Sequence, residues 1–205
     1  MTNRTLVVSI DALITADIPV LKQLPNLGRV MEHASWITDI ECIYPTLTYP
    51  CHATIATGCW PDRTGINNNE IPDFFAKGRM DWYWWREAIQ VPTVVDFARQ
   101  AGLTASTVTW PVMCASGAEY NIGEIWAPRE EDDPTPWFTR ANSPAVAKIF
   151  EANKHMLRWM KTPQMDEFAA KCAADIIRAH RPDLMLLHLS YVDHQRHRLD
   201  RKSVV

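Results

Sequence analysis

The sequence predicts an α/β protein: a mainly parallel sheet flanked by helices. Residues 5–10 are a near-continuous apolar, β-branched run of strand length, the pattern of a strand buried in a parallel sheet. A second buried strand is expected at 183–190, Asp-Leu-Met-Leu-Leu-His-Leu-Ser. Between them, segments of helical apolar spacing alternate with strand-like ones, the order that βαβ units produce.

Residues 18–34 carry apolar positions at helical spacing, interrupted at Pro25, so two short helices are expected. Residues 36–43 alternate well enough for a strand. The segment 52–57 reads as a short helix that Gly58 closes in a left-handed cap. Residues 67–86 are irregular and polar-aromatic, a loop with a local hairpin. A helix is expected at 92–100, with Pro92 at its first position and Gly102 closing it, followed by a strand at 104–109. From 119 to 137 the chain makes an excursion whose acidic tip (Glu130, Glu131, Asp132, Asp133, Pro134) reads as a solvated loop. Helices at 144–160 and 164–180 follow; in the second, Phe168, Ala169, Cys172, Ile176 and Ile177 share one side.

A chain of 205 residues suits one domain with an ordinary core. A formal net charge of −3 argues against a dedicated nucleic-acid or membrane surface, and no apolar run is long enough to span a bilayer. Met1 leads almost directly into the first strand, with no secretory signal peptide in view. The five cysteines are scattered, without a Cys-x-x-Cys pair, which reads as reduced thiols in a cytoplasmic protein.

The stretch 44–69 organises the chemistry. Pro45 and Pro50 bracket two threonines, and proline restricts both itself and the residue before it. Thr48 is thereby set just ahead of a helix start, where unpaired N–H groups and the helix dipole favour an anion. Its hydroxyl either caps the helix or acts as a nucleophile. Asp11 stands at the carboxyl end of the first strand, where ligands of open α/β sheets collect, or else caps the next helix. Asp193 and His197 are four apart after the later strand. On a helical turn they share a face and suit one ion, zinc or a similar divalent metal; the alternative is a solvated His-rich loop. His52 reads as a buried histidine with a structural hydrogen bond, His188 as a satisfied core group and His194 as exposed. Trp82, Trp84 and Trp85 either border a cleft or pack together.

Asp11, Thr48 and the Asp193-x-x-x-His197 pair together resemble the nucleotide pyrophosphatase/phosphodiesterase family of the alkaline phosphatase superfamily. Residues 44–52 follow its aromatic-Pro-Thr-x-Thr-aromatic-Pro-x-His pattern, and Thr57-Gly58, Pro61, Gly65-Ile66 and Asn69 stand at matching spacing. Trp110-Pro111 is similar to the family's Phe-Trp-Pro, whereas Thr64 and Cys51 replace its usual His and Asn. The resemblance implies an alkaline phosphatase-like core that hydrolyses phosphodiester or pyrophosphate bonds in small nucleotide-type substrates, with Thr48 as the residue that becomes phosphorylated or nucleotidylated. It implies two divalent ions, Zn2+ with Mn2+ as the alternative, Asp11 and Thr48 on one and Asp193 and His197 on the other. The Asn69 amide and the Tyr49 backbone N–H would hold a phosphate oxygen, and the Tyr49 ring would stack on a base.

The family's domain continues with an Asp-His pair and a later His that complete the two metal sites. Beyond the Asp193–His197 cluster, residues 1–205 contain no such segment. The chain is therefore expected to be the N-terminal part of an alkaline phosphatase-like catalytic domain, incomplete at the C-terminus, with an exposed sheet edge and two protein ligands per ion. Hydrolysis of a phosphonate or phosphomonoester, or a non-catalytic remnant, are the other readings.

Overall fold

The computed structural model describes residues 4–38, 40–72, 81–125, 133–157 and 163–199. Strand β1 (Thr5–Ile10) leads into helices α1 (Ile18–Leu21) and α2 (Pro25–Met31), each with proline in its first turn, where its missing N–H costs nothing. Helices α3 (Thr48–Thr57) and α4 (Pro61–Thr64) end at Gly58 and Gly65, with φ of 67° and 78°, the left-handed caps that glycine supplies. Helix α5 (Val94–Gln100) precedes β2 (Ala105–Val108) and β3 (Tyr120–Ile122). Helices α6 (Thr135–Ala141), α7 (Ala147–Asn153) and α8 (Gln164–His180) follow, then β4 (Leu184–Leu189) and α9 (Tyr191–Leu199).

The described strands make one sheet in the order β1-β4-β2-β3, all pairs parallel. Residues of β4 alternate between two cores, as the strand period requires. Leu184 and Leu186 join Tyr49, Val95 and Trp110 on the face covered by α3 and α5. Met185 and Leu187 join Phe138, Phe150, Phe168 and Ile176 on the face covered by α6 to α8. Each such side chain contributes about 1.5–3 kcal/mol of burial. Helix α8 has the expected bounds, and Phe168, Ala169, Cys172 and Ile176 are buried, while Ile177 is exposed.

Several expectations are corrected. Strand β1 is an edge strand, not a buried one: among the described residues it pairs only with β4, and Leu6 is 52% exposed. The described part of 36–43 is not a strand. Its alternation supplies propensity but no ladder forms to hold it, and Ile37 and Ile40 are 78% and 73% exposed. The excursion at 119–137 supplies β3 and α6, which tertiary pairing with β2 stabilises over a loop. Glu130, Glu131 and Asp132 lie outside the described residues, and Asp133 accepts hydrogen bonds from the Thr135 N–H and hydroxyl at 3.0 and 2.8 Å. The helix expected at 144–160 is shorter, α7 flanked by 3-10 turns, and 158–160 lie outside the described residues. The hairpin in 67–86 is present as an antiparallel bridge between Glu70 and Trp82. Among the described residues no helix is long and apolar enough to cross a membrane.

Pro92 does not open α5; Thr93 caps it. The Thr93 hydroxyl accepts from the Asp96 N–H, and Asp96 accepts in return from the Thr93 N–H at 2.7 Å and from Arg86 at 2.5 Å. Burial works to raise the Asp96 pKa, but Arg86 and then Thr93 outweigh it and hold the carboxyl below its ordinary value. Asp96→Asn is expected to lower stability by about 1–2 kcal/mol, read as a lower urea midpoint. Because the folded pKa is depressed, this contribution is complete above the unfolded value of about 3.9 and fades as pH falls through the folded one.

Candidate active site

The site forms where β1 and β4 end and α3 begins. Parallel register sets Ser9 beside His188 and Ile10 beside Leu189, and the Asp11 N–H donates to the Leu189 carbonyl at 2.9 Å. Asp11 is thereby carried to the carboxyl end of the sheet. Its Oδ1 accepts from the Ala12 N–H at 3.0 Å. Ala12 and Thr109 both hold left-handed backbone, φ 59° and 49°, and for a β-branched threonine that is a genuine outlier of the kind found at functional sites.

Helix α3 starts four residues before the expected 52, so Thr48 is its first residue instead of standing ahead of it. Leu47 occupies the cap position, with no side-chain capping bond. The Thr48 hydroxyl instead donates to Asp11 Oδ2 at 3.1 Å. The capping reading of Thr48 is thus replaced by a bond between a helix tip and a strand end. That bond uses the hydroxyl proton and leaves the oxygen lone pairs open.

Beneath this pair lies a layer of buried histidines. His52 Nδ1 is 2.7 Å from the Thr48 carbonyl, which can only accept, so Nδ1 carries the proton and Nε2, 2.9 Å from Ser9 Oγ, accepts. This is the structural histidine expected. Burial, then the charge of His188, lowers its pKa to about 4. His188, 2% exposed, is not the satisfied core group expected. Its Nδ1 is 3.1 Å from the Thr109 carbonyl, while Nε2 has no hydrogen-bond partner and faces Asp11 Oδ2 at 3.6 Å. Burial opposes protonation of His188, but Asp11 and then Glu124 outweigh it and raise its pKa. For Asp11, burial acts upward, and His188, followed by His52 and Thr48, brings the carboxyl below its ordinary value. Glu124, 4.0 Å from His188 Nδ1, is pushed up to about 7 by burial. The sequence carries no sign that Glu124 and His188 meet, because that depends on the fold of the excursion.

Tyr49 departs from its expected role on both counts. Its ring is 0% exposed and packs edge-on against Trp82, so it offers no face to a base. Its N–H donates to Asn69 Oδ1 at 2.9 Å, so it is not open to a phosphate oxygen. Tyr49 anchors Asn69, and that bond identifies which amide atom is Oδ1 and leaves Nδ2 as the donor. Trp82, Trp84 and Trp85 pack against the cores, and Trp84 and Trp85 also line a cavity with Asp81, Trp137 and Arg140, so both expected readings hold for those two.

Asp193 and His197 lie on α9, not in a loop. His197 Nε2 is 3.3 Å from Asp193 Oδ1, with the His197 side chain 78% exposed. Burial, then the charge of Asp11, raises the Asp193 pKa. His194 is half-buried. The donors suit divalent cations: a carboxylate with a hydroxyl, and a carboxylate with an imidazole. The unpartnered Nε2 aimed at Asp11 fits a cation there as well. Among the described residues no group of three or more His, Cys, Asp or Glu side chains is placed to hold a metal ion by itself. All five cysteines are free thiols, Cys42 and Cys51 with sulfurs 3.4 Å apart.

The parallel sheet with helices on both faces and a helix tip held to a strand end defines an α/β core of alkaline phosphatase-like architecture. The chain belongs to the type I phosphodiesterase/nucleotide pyrophosphatase family, whose model matches residues 5–203. It is 25% identical over 185 residues to venom phosphodiesterase 2 of Crotalus adamanteus, covering 85% of this chain and 18% of that protein. It is 27% identical over 114 residues to human bis(5'-adenosyl)-triphosphatase ENPP4, covering 53% of this chain and 24% of that protein. In structure it is similar to phosphonoacetate hydrolase from Sinorhizobium meliloti, with a TM-score of 0.64 and 19% identity over 94% of this chain and 48% of that one. Murine ectonucleotide pyrophosphatase/phosphodiesterase 5 gives a TM-score of 0.55 at 18% identity, over 95% and 45% of the two chains. The chain therefore spans roughly a fifth of these curated relatives and under half of these solved structures.

His52→Ala is expected to cost about 1–3 kcal/mol of stability, because it strands Ser9 and removes a bond to the first turn of α3. Thermal unfolding compared with Ser9→Ala, the smaller loss, checks this.

Proposed function

We propose that this chain carries the nucleophile-bearing part of a metal-dependent hydrolase of phosphodiester or pyrophosphate bonds in nucleotide-type substrates. The observation that supports it most is the Thr48 hydroxyl at the tip of α3, bonded to Asp11 at 3.1 Å, within residues that match the family. Thr48 Oγ1 gives up its proton to solvent as it bonds to phosphorus. The phosphorus–oxygen bond to the leaving group breaks and that oxygen takes a proton from solvent. Water then hydrolyses the threonine ester in a second displacement, returning the proton to Oγ1. Asp11 fixes the rotamer of the hydroxyl so that its lone pairs face outward. The Nδ2 of Asn69 is a neutral donor for charge that grows on a phosphate oxygen. Divalent ions at Asp11 with Thr48, and at Asp193 with His197, would favour the alkoxide and stabilise attacking and leaving oxygens.

A second reading has one observation in its favour. The buried Tyr49 ring removes the base platform that the family resemblance implied, which suits a smaller phosphonate or phosphomonoester. Parallel assay of a nucleotide ester, a phosphonate and a phosphomonoester separates the two.

With zinc or manganese supplied, Thr48→Ala is expected to abolish turnover while circular dichroism stays unchanged. Persistent cleavage in that variant rules Thr48 out as nucleophile. Asn69→Ala is expected to lower kcat by roughly 10²–10³-fold with little change in KM.

A further inference from the structure

We propose that His188 is a third protein donor, through Nε2, to a cation held at Asp11 and Thr48. This rests on the metal-dependent reading above and extends it, since the family resemblance completes that site with other residues and gives His188 no part.

The tautomer is dictated by the surroundings. The Thr109 carbonyl, 3.1 Å from Nδ1, has no proton to give, so Nδ1 must donate. Thr109 also clamps the strand from its own side, its hydroxyl donating to the His188 carbonyl at 2.8 Å. A metal-bound histidine characteristically donates its other ring N–H to a carbonyl in this way. In neutral His188 the Nε2 lone pair then points at the Asp11 carboxylate, 3.6 Å away and out of hydrogen-bond reach. Two electron-rich atoms facing each other in a buried place require something positive between them, either a proton on Nε2 or a cation.

The spacing suits a cation. Tetrahedral zinc with bonds of about 2.0–2.1 Å sets neighbouring donors roughly 3.3 Å apart. Asp11 Oδ2 lies 3.1 Å from Thr48 Oγ1 and 3.6 Å from His188 Nε2, bracketing that edge length. The Glu124 carboxyl lies 4.0 Å from Nδ1 and the His52 ring 4.5 Å between centroids, and the Asp193 carboxylate is near enough to feel the imidazole's charge. His52 is already committed to the Thr48 carbonyl and to Ser9, so it does not compete for the ion. Carboxylate, hydroxyl and imidazole would make three protein donors, one short of the four that tetrahedral zinc takes.

The test is a zinc titration of the full 15N-labelled chain, followed by imidazole nitrogen NMR and by chelator competition. The expected result is a His188 Nε2 resonance that moves to its metal-bound position while Nδ1 stays protonated. His188→Gln is expected to weaken the site by roughly 10–100-fold or more, since outer-shell losses alone reach that range. Asp11→Asn is expected to weaken the same site. Zinc bound at Asp11 with an unmoved Nε2 resonance, and with equal affinity in His188→Gln, overturns the part given to His188 and leaves the metal-dependent reading intact. No zinc bound by the wild-type chain, with Nε2 protonated throughout, overturns both. The NMR reading uses the unaltered chain, so it decides the matter even where His188→Gln fails to fold.

Discussion

The hydrogen bond from Thr48 to Asp11 joins the two elements on which the site depends. One partner is fixed by the register of β1 on β4, the other by the start of α3. A slip of one residue in β1 would turn Asp11 to the opposite face and separate it from both Thr48 and His188. That register is held by parallel pairing from Thr5 with Leu184 to Ile10 with Leu189, continued by the Asp11 N–H to Leu189. Because β1 is an edge strand among the described residues, β4 alone supplies that ladder.

The polar layer under the bond explains why so much of the local backbone is constrained. His52, His188 and Glu124 are all buried, and buried polar groups cost several kcal/mol unless paired. His52 is satisfied by Thr48 and Ser9, whereas His188 Nε2 and Glu124 Oε2 have no hydrogen-bond partner. A fold selected for stability alone would fill this space with aliphatic side chains. The left-handed Thr109, which turns its carbonyl toward His188, belongs to the same arrangement.

Much of the fold was legible because its signals are periodic. The apolar run of β4, the stripe along α8 and the four-residue spacing of Asp193 and His197 each follow from one element's geometry. General rules about strand ends and helix tips placed Asp11 and Thr48 separately, and their meeting was legible only through the family resemblance. The burial of Tyr49 was obscured by placing the helix start too late. Once α3 begins at Thr48, the positions 49, 52, 53 and 56 form one inward face, and Pro50 is tolerated in the first turn. Other features had no signal in one dimension. Residues 36–43 alternate like a strand, yet the described ones among them find no ladder, and Glu124 reaches the site only because β3 pairs with β2.

The most direct test of the central claim is to trap the reaction at Thr48. The chain, loaded with zinc and mixed with a nucleotide ester, would be quenched in acid, digested and sequenced by mass spectrometry. The account predicts a phosphoryl or nucleotidyl mass on Thr48. An adduct on any other residue, with Thr48 unmodified while product accumulates, would contradict it.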